Sequence, residues 1–196
     1  DNSGMMYAGG GSNVAAIRAD ADLVLINSGT ISGGSTVPAT SGYGLLGTNS
    51  ASTLTIDNQA GGTIDGGAGG VVTAGAIDLS NAGSIFSTNG IGVSAASGSA
   101  RNQVGGSIEG VTGVSFTGGG TFALTSAGTI AGTGGNAIDV AGTGTIDLAA
   151  GSATTGNIVT ASSGIVAATL GGVLDGSYLG GAAEDEVKSL RDRLER

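Results

Sequence analysis

The amino-acid sequence predicts an all-β fold, a right-handed parallel β-helix of about seven three-sided turns followed by a short C-terminal α-helix. A short residue pattern recurs along most of the chain, and apolar residues alternate with polar ones inside it. The third observation is that 42 glycines accompany a single proline, while 39% of residues are hydrophobic and only 11% are charged. This composition indicates ordered, turn-rich structure rather than disorder.

The recurring pattern reads apolar, any, apolar, any, small polar, any, Gly, any, Ile, any, Gly. Three segments follow it almost position by position: 23–33, 77–87 and 122–132. Weaker copies fill the spaces between them: 54–66, 100–110, 146–156 and 166–176. From position 66 onward the copies end 21, 23, 22, 24 and 20 residues apart. A second apolar run lies between consecutive copies, so each repeat has three strand-sized segments and fits one turn of a three-sided β-helix.

Stacked turns place equivalent aliphatic residues above one another at about 4.8 Å, which predicts continuous interior rows and a rod roughly 30 to 35 Å long. One predicted row contains Leu25, Ile56, Leu79, Asn102, Leu124, Leu148 and Ala168. A second contains Ile31, Ile64, Ile85, Ile108, Ile130, Thr154 and Leu174. Because one turn cannot bury its own apolar face, stability must come from neighbouring turns.

Asparagine recurs at one position of the pattern. Asn27, Asn58 and Asn81 share that position, and stacked side-chain amides can hydrogen-bond from turn to turn. We therefore predict a structural ladder of these three residues at a corner. The glycines that follow, such as Gly83 and Gly128, are expected to allow tight corners through a positive φ or a close backbone approach.

The two ends depart from the pattern. We interpret residues 1–20 as an N-terminal cap or partial turn, residues 21–181 as the β-helix, and residues 182–196 as an amphipathic helix. The last segment has no glycine, is rich in helix-forming residues and has oppositely charged residues at i,i+4 spacing. Val187, Leu190 and Leu194 would form one apolar face. That face is expected either to cap the β-helix or to associate with a partner, and the helix is either native to the stalk or an added segment.

Composition removes several classes of function. The net charge is −9, and residues 1–187 contain only Arg18 and Arg101 as cations, which argues against nucleic-acid partners. Cysteine and histidine are absent, so disulfides, thiolate metal sites and the commonest general base are excluded. No apolar run is long enough for a transmembrane helix. We expect no catalytic, cofactor-binding or metal-binding residues.

Carboxylates are the remaining candidates for chemistry. In the predicted register, Asp57 and Asp78 share an outward column with Arg101 next in line, and Asp65 and Glu109 share another. The favoured interpretation is a set of solvated acids on the outer face with one surface pair between Asp78 and Arg101. The alternative is a calcium ion held between Asp57 and Asp78, for which few oxygen ligands converge.

The repeats resemble turns of the passenger domains of bacterial autotransporters, as in residues 26–33, 79–85 and 124–132. The resemblance covers about residues 21–181 and implies a β-helical stalk exported through an outer-membrane barrel, serving adhesion, self-association or display of other domains. The chain has no recognisable barrel, signal peptide or protease domain, so the resemblance implies a fragment of such a protein.

The expected function is therefore a non-catalytic structural rod, secreted or on the bacterial outer cell surface, that is adhesin-like or self-associating. Expected partners are further copies of the chain, including an end-to-end filament, or a cell-surface or glycan partner. The alternative is a β-helix that binds or processes polysaccharides, which would require a carboxylate cluster in a groove.

Overall fold

The computed structural model describes residues 1–9, 14–34, 39–161 and 164–180, together with the backbone of residues 186–189. These residues form an all-β, parallel β-solenoid of about eight turns, and no helix occurs among them. Each turn contributes one strand to each of three faces. The predicted all-β fold, a parallel β-helix, is confirmed.

The first face is an eight-stranded parallel sheet. Most of its strands contain the first part of the repeat, in which apolar residues alternate with other residues and a small polar residue follows. In spatial order its strands are β3 (Leu23–Asn27), β6 (Thr53–Asn58), β9 (Ala76–Asn81), β12 (Ser97–Asn102), β14 (Thr121–Ser126), β16 (Thr143–Leu148), β18 (Val166–Leu170) and β21 (Glu186–Ser189). Burial alternates along these strands, as in β6, because successive side chains point to opposite sides of a sheet.

The second and third faces are joined into one larger sheet. The second face contains β1 (Met5–Tyr7), β4 (Thr30–Ser32), β7 (Thr63–Gly66), β10 (Ser84–Ser87), β19 (Val173–Asp175) and the first parts of β13 (Ser107–Phe116), β15 (Thr129–Val140) and β17 (Ala153–Thr160). The third contains β2 (Ala15–Ala19), β5 (Tyr43–Gly47), β8 (Gly69–Thr73), β11 (Ile91–Ala95), β20 (Tyr178–Leu179) and the last parts of β13, β15 and β17. The three long strands run from one face to the other, which joins the sheets.

The predicted interior row of the second face is confirmed at every position. The pairing register aligns Ile31, Ile64, Ile85, Ile108, Ile130, Thr154 and Leu174, and it adds Met6 at the N-terminal end. Its five isoleucines are fully buried. Burying one isoleucine side chain contributes roughly 1.5 to 3 kcal/mol, so this row is a large part of the stabilising free energy.

The predicted interior row of the first face is wrong at two positions. The structure aligns Ala100, not Asn102, with Leu79, and Ile146, not Leu148, with Leu124. The error has a physical cause, because the corners that follow β12 and β16 are two residues longer than those after β9 and β14. Two extra corner residues shift the alignment of the preceding strand with its neighbours by two positions. Because side chains alternate with a period of two, the same residues of that strand still point inward.

These corners alternate in length along much of the solenoid. Two residues, Ala82 and Gly83, connect β9 to β10, and Ala127 and Gly128 connect β14 to β15. Four residues connect the strands in the turns between them: 59–62, 103–106 and 149–152. The third residue of each long corner is a glycine with positive φ: Gly61 (86°), Gly105 (83°) and Gly151 (92°). Long corners therefore project as ridges on every second turn.

The number of turns is about eight, whereas the sequence pattern predicts about seven. The difference lies at the N-terminus, in residues 1–20, for which the sequence predicts a cap or partial turn. Within them, β1 pairs with β4 and β2 pairs with β5, both in parallel. These residues therefore supply the second and third faces of an additional turn, although they lack the residue pattern of the first face.

The predicted C-terminal helix is wrong for the four residues of it that the structure describes. Glu186–Ser189 form β21, which pairs in parallel with β18 and aligns Val187 with Ala168. The edge of β18 presents unpaired backbone N–H and C=O groups that a further strand satisfies, whereas each i,i+4 ion pair stabilises a helix by only about 0.2 to 0.5 kcal/mol. Leu190 and Leu194 lie outside the described residues.

Candidate interaction surface

The three predicted ladder asparagines are stacked at the corner between the first and second faces. Asn27 Nδ2 donates to Asn58 Oδ1, and Asn58 Nδ2 donates to Asn81 Oδ1, each at 2.7 Å. All three side chains are fully buried. Each amide also donates to backbone carbonyls of the corner, as Asn58 Nδ2 does to the carbonyl oxygens of Gly62 and Ser84. The ladder therefore satisfies corner carbonyls that would otherwise be buried without donors.

Two further asparagines extend the ladder. Asn2 Nδ2 donates to Asn27 Oδ1, and Asn81 Nδ2 donates to Asn102 Oδ1, both at 2.8 Å. The stack ends where Asn102 Nδ2 meets Ser126 Oγ at 3.3 Å, and the next position is Leu148. Asn102 was missed because of the two-residue register error. Asn2 was missed because it precedes the first copy, although the Asn-Ser-Gly sequence at 2–4 repeats at 27–29.

The outer side of the first face is a shallow surface of short side chains arranged in three columns parallel to the solenoid axis. The column nearest the amino ends of the strands contains Thr53, Ala76, Ser97, Thr121 and Thr143. The middle column contains Val24, Thr55, Asp78, Ser99, Ala123, Thr145 and Ala167. The third, which we call the charged column, contains Ile26, Asp57, Ser80, Arg101, Thr125, Asp147 and Thr169, and Lys188 occupies its next register position.

This register corrects the predicted acidic column. Asp57 aligns with Ser80, while Asp78 aligns with Thr55 and Ser99, so the two acids lie in different columns. Asp78 Oδ1 accepts a 2.8 Å hydrogen bond from Ser99 Oγ, and Arg101 shares its column with Asp57 rather than with Asp78. The proposed calcium site and the Asp78–Arg101 pair therefore lack the alignment on which they depended.

Arg101 and Asp147 are exposed and two strands apart on either side of Thr125. Arg18 and Asp20 form the one ion pair in the described part of the chain, at 3.4 Å. Neither Arg101 nor Asp147 has a side-chain hydrogen bond to another described residue. Both charges are therefore available to a partner.

A groove of about 490 Å³ opens at the edge of the charged column, between two of the ridges. Arg101, Gln103 and Val104 line one side, Asp147 and Ala149 line the other, and the short corner with Ala127 lies between them. Val104 is 81% exposed at the tip of its ridge. The groove follows directly from the alternation of long and short corners, because the shorter corner is recessed.

Asp65 differs from the solvated acid that the sequence predicted. It does align with Glu109 through Phe86, as expected, but its side chain is only 1% exposed. Asp65 Oδ2 accepts hydrogen bonds from the Ala39 N–H (2.6 Å) and from Ser32 Oγ (3.2 Å), while Oδ1 has no partner among the described residues. Burial raises the pKa of Asp65, although these two hydrogen bonds oppose that rise.

Residues 39–42 cover Asp65 and are held by the neighbouring turns. Thr88 Oγ1 donates to the Ala39 carbonyl at 2.7 Å, and Asn89 Nδ2 donates to the Thr40 carbonyl at 3.1 Å. The Ala68 N–H donates to the Gly42 carbonyl at 2.7 Å. Asp65 is thus an internal anchor for this segment, and its carboxyl is closed off from the outer surface.

The N-terminal end exposes large apolar side chains. Met5 is 72% exposed, Tyr7 49% and Val24 75%. They lie on β1 and β3, which are terminal strands of their sheets. Exposed apolar residues beside an unpaired strand edge mark a surface suited to contact with another molecule.

Comparison with known proteins gives no match: no family model, no curated protein and no solved structure resembles this chain significantly. Within the described residues, no helix is long and apolar enough to cross a membrane. The same residues contain no group of three or more acidic side chains positioned to hold a metal ion.

Proposed function

We propose that this chain is a non-catalytic structural rod, secreted or on a bacterial cell surface, that acts by adhesion or self-association. The observation that carries this proposal is the set of residues that strand pairing aligns on the outer side of the first face. It forms a shallow surface of mostly short, polar side chains over seven turns, and the charges of Arg101 and Asp147 on it form no ion pair within the described residues. Such a surface suits contact with another extended surface better than enclosure of a small substrate.

The core supports a mechanical role. Consecutive turns are joined by parallel backbone pairing on three faces and by the asparagine ladder through five turns. Each turn is thereby fixed to its neighbours, as in other repeat proteins whose stability is shared between adjacent units. The resemblance of the repeats to autotransporter passengers supports a location outside the cell.

The arrangement of acids supports a non-catalytic role. The sequence has no histidine or cysteine to act as a base or nucleophile. Asp57 and Asp78 lie in separate columns, and the carboxyl of Asp65 is buried and bound by Ala39 and Ser32. The paired carboxylates flanking a bound sugar that glycoside hydrolysis requires are therefore not assembled from these residues.

Light scattering over a wide concentration range tests the self-association in this proposal. We expect the weight-average mass to rise above that of the 18.3 kDa monomer as concentration increases. A mass that stays monomeric up to the solubility limit would exclude self-association and would leave adhesion to a different molecule as the function to pursue.

A further inference from the structure

We propose that two copies of this chain associate through the outer sides of their first faces, as antiparallel solenoids related by a two-fold axis that runs parallel to β14. This inference rests on the proposed self-association and identifies its surface and geometry. The two-fold axis passes beside Thr125, at the centre of the charged column.

The charged column is self-complementary about that centre. A two-fold axis parallel to the strands makes the two solenoid axes antiparallel. Each column of one copy then faces the same column of the other copy. Arg101, one strand before Thr125, then faces Asp147 of the second copy, one strand after it. Asp57, three strands before the centre, faces the register position of Lys188, three strands after it. Two-fold symmetry repeats the Arg101–Asp147 contact, giving two opposite-charge contacts about the centre.

The residues of the middle column are also compatible with this two-fold arrangement. In the middle column Ser99 faces Thr145, Asp78 faces Ala167 and Ala123 faces itself. No carboxylate of these two columns faces another carboxylate. Small side chains over most of the face also allow two sheets to approach to about the 10 Å separation that is usual for packed sheets.

Neighbouring positions of the axis are disfavoured by charge. An axis at β12 would place the two copies of Arg101 against each other, and one at β16 would do the same for Asp147. An axis at β9 would oppose the two copies of Asp78. Because like charges in contact cost free energy while opposite charges fix the register, the charge pattern favours an axis at β14 over axes at β9, β12 and β16.

The size of the surface indicates a weak dimer. The seven strands that oppose one another about this axis, β6 to β21, are about 4.8 Å apart and mostly have five or six residues at about 3.3 Å each, which gives a face of roughly 500 to 600 Å². Two such faces bury about 1,000 to 1,200 Å², at the lower end for specific protein interfaces. The dimer should therefore form only at high concentration and dissociate readily.

Sedimentation equilibrium of charge-reversal variants tests the geometry. Arg101→Glu and Asp147→Arg each place like charges opposite one another twice in the dimer, and each should weaken association at least about tenfold. The double variant R101E/D147R restores opposite charges at both contacts and has the net charge of the wild type. It should therefore associate within about threefold of the wild type.

Matched variants on other faces control for net charge. Arg18→Glu on the third face and Asp175→Arg on the second change the charge by the same amounts as the two single variants. Both should associate as the wild type does.

The outcomes separate this inference from the proposed function. Association that is unaffected by either single reversal, or single variants that are not rescued by the double variant, would overturn the first-face dimer while leaving self-association intact. Wild-type protein that remains monomeric at every concentration would overturn both. Circular dichroism of each variant establishes that the solenoid is folded.

Discussion

At the scale of single residues, the asparagine ladder shows how one side chain can be fixed by its neighbours in both directions along the solenoid. Asn81 accepts from Asn58 Nδ2 and donates to Asn102 Oδ1, and it also donates to the carbonyls of Gly83 and Ser107. A buried amide in this position stabilises the fold by forming hydrogen bonds with other buried polar groups, rather than by burying apolar surface.

Replacing Asn81 by alanine should therefore destabilise the protein strongly. The substitution leaves Asn102 Oδ1 without its donor and removes one acceptor from Asn58, and each buried polar group left unsatisfied costs about 1 to 3 kcal/mol. We expect the free energy of unfolding, measured in urea, to fall by about 2 to 4 kcal/mol. The control Asn89→Ala removes one exposed hydrogen bond to the Thr40 carbonyl and should cost less than about 1 kcal/mol. Equal losses for the two variants would contradict a stabilising ladder.

Asp65 gives a prediction about pH. Because burial raises its pKa in the folded chain, the folded state retains the proton to higher pH than the unfolded state does. The contribution of Asp65 to the free energy of unfolding is therefore greatest below its ordinary pKa of 3.8 and is lost as the pH rises through its folded-state pKa. At neutral pH the buried, ionised carboxylate therefore lowers the free energy of unfolding.

We therefore expect Asp65→Asn to raise the melting temperature at neutral pH and to have a much smaller effect near pH 3. The asparagine Oδ1 can still accept from the Ala39 N–H and Ser32 Oγ, so the anchor of residues 39–42 is preserved. Thermal unfolding of both proteins across this pH range measures the difference. Asp175→Asn, at an exposed position, is the control. A lower melting temperature for D65N at neutral pH would show that the charge itself stabilises the fold.

At the scale of elements, the corners determine how strands are aligned. The short corners need glycine because of close backbone approach rather than a positive φ. A Cβ at Gly83 would collide with the Gly62 carbonyl oxygen and lie 2.6 Å from that of Gln59. The long corners use positive-φ glycines in open space, where a Cβ at Gly105 would meet nothing within 4 Å.

This difference predicts an order of stability for three substitutions. Gly83→Ala forces two stacked corners apart, and overpacking of this kind costs about 1 to 3 kcal/mol. Gly105→Ala strains only its own backbone, at about 1 kcal/mol. Ala82→Ser, on the half-buried neighbour of Gly83, should change stability by less than about 0.5 kcal/mol. Urea unfolding measures all three, and a loss for G105A larger than that for G83A would contradict the distinction.

The same corners explain which parts of the fold could be predicted from sequence. The second-face row was fully predictable because its isoleucines follow the corner glycines at a fixed distance in most repeats. The first-face row was wrong at two positions, because two extra residues in a corner cannot be distinguished from two residues of strand. Ala100 replaces the usual Leu or Ile, and Ile146 and Leu148 are both apolar. The partners of Asp57 and Asp78 depended on that alignment, and so the outer surface could not be derived correctly.

Other features lacked any local signal. The burial of Asp65 depends on residues 39–42, which are more than 20 positions away and follow no repeat. β21 has helix-forming residues, and its strand conformation depends on the unpaired edge of β18. In both cases a contact between distant segments overrides the local preference of the sequence.

At the scale of the whole molecule, the solenoid converts a repeat in sequence into regular surfaces. Eight strands on the first face are about 4.8 Å apart, which gives a stack about 34 Å long. Regular spacing means that a few charges placed in one column can specify both the partner and the register. The fold therefore presents a regularly repeated outer face, which the proposed self-association requires.

Electron cryo-microscopy of the concentrated protein is the measurement that tests self-association of the rod most directly. We predict particles in which two solenoids lie antiparallel, with β14 of each copy at the centre of the contact. Isolated single solenoids at the highest attainable concentration would contradict the account.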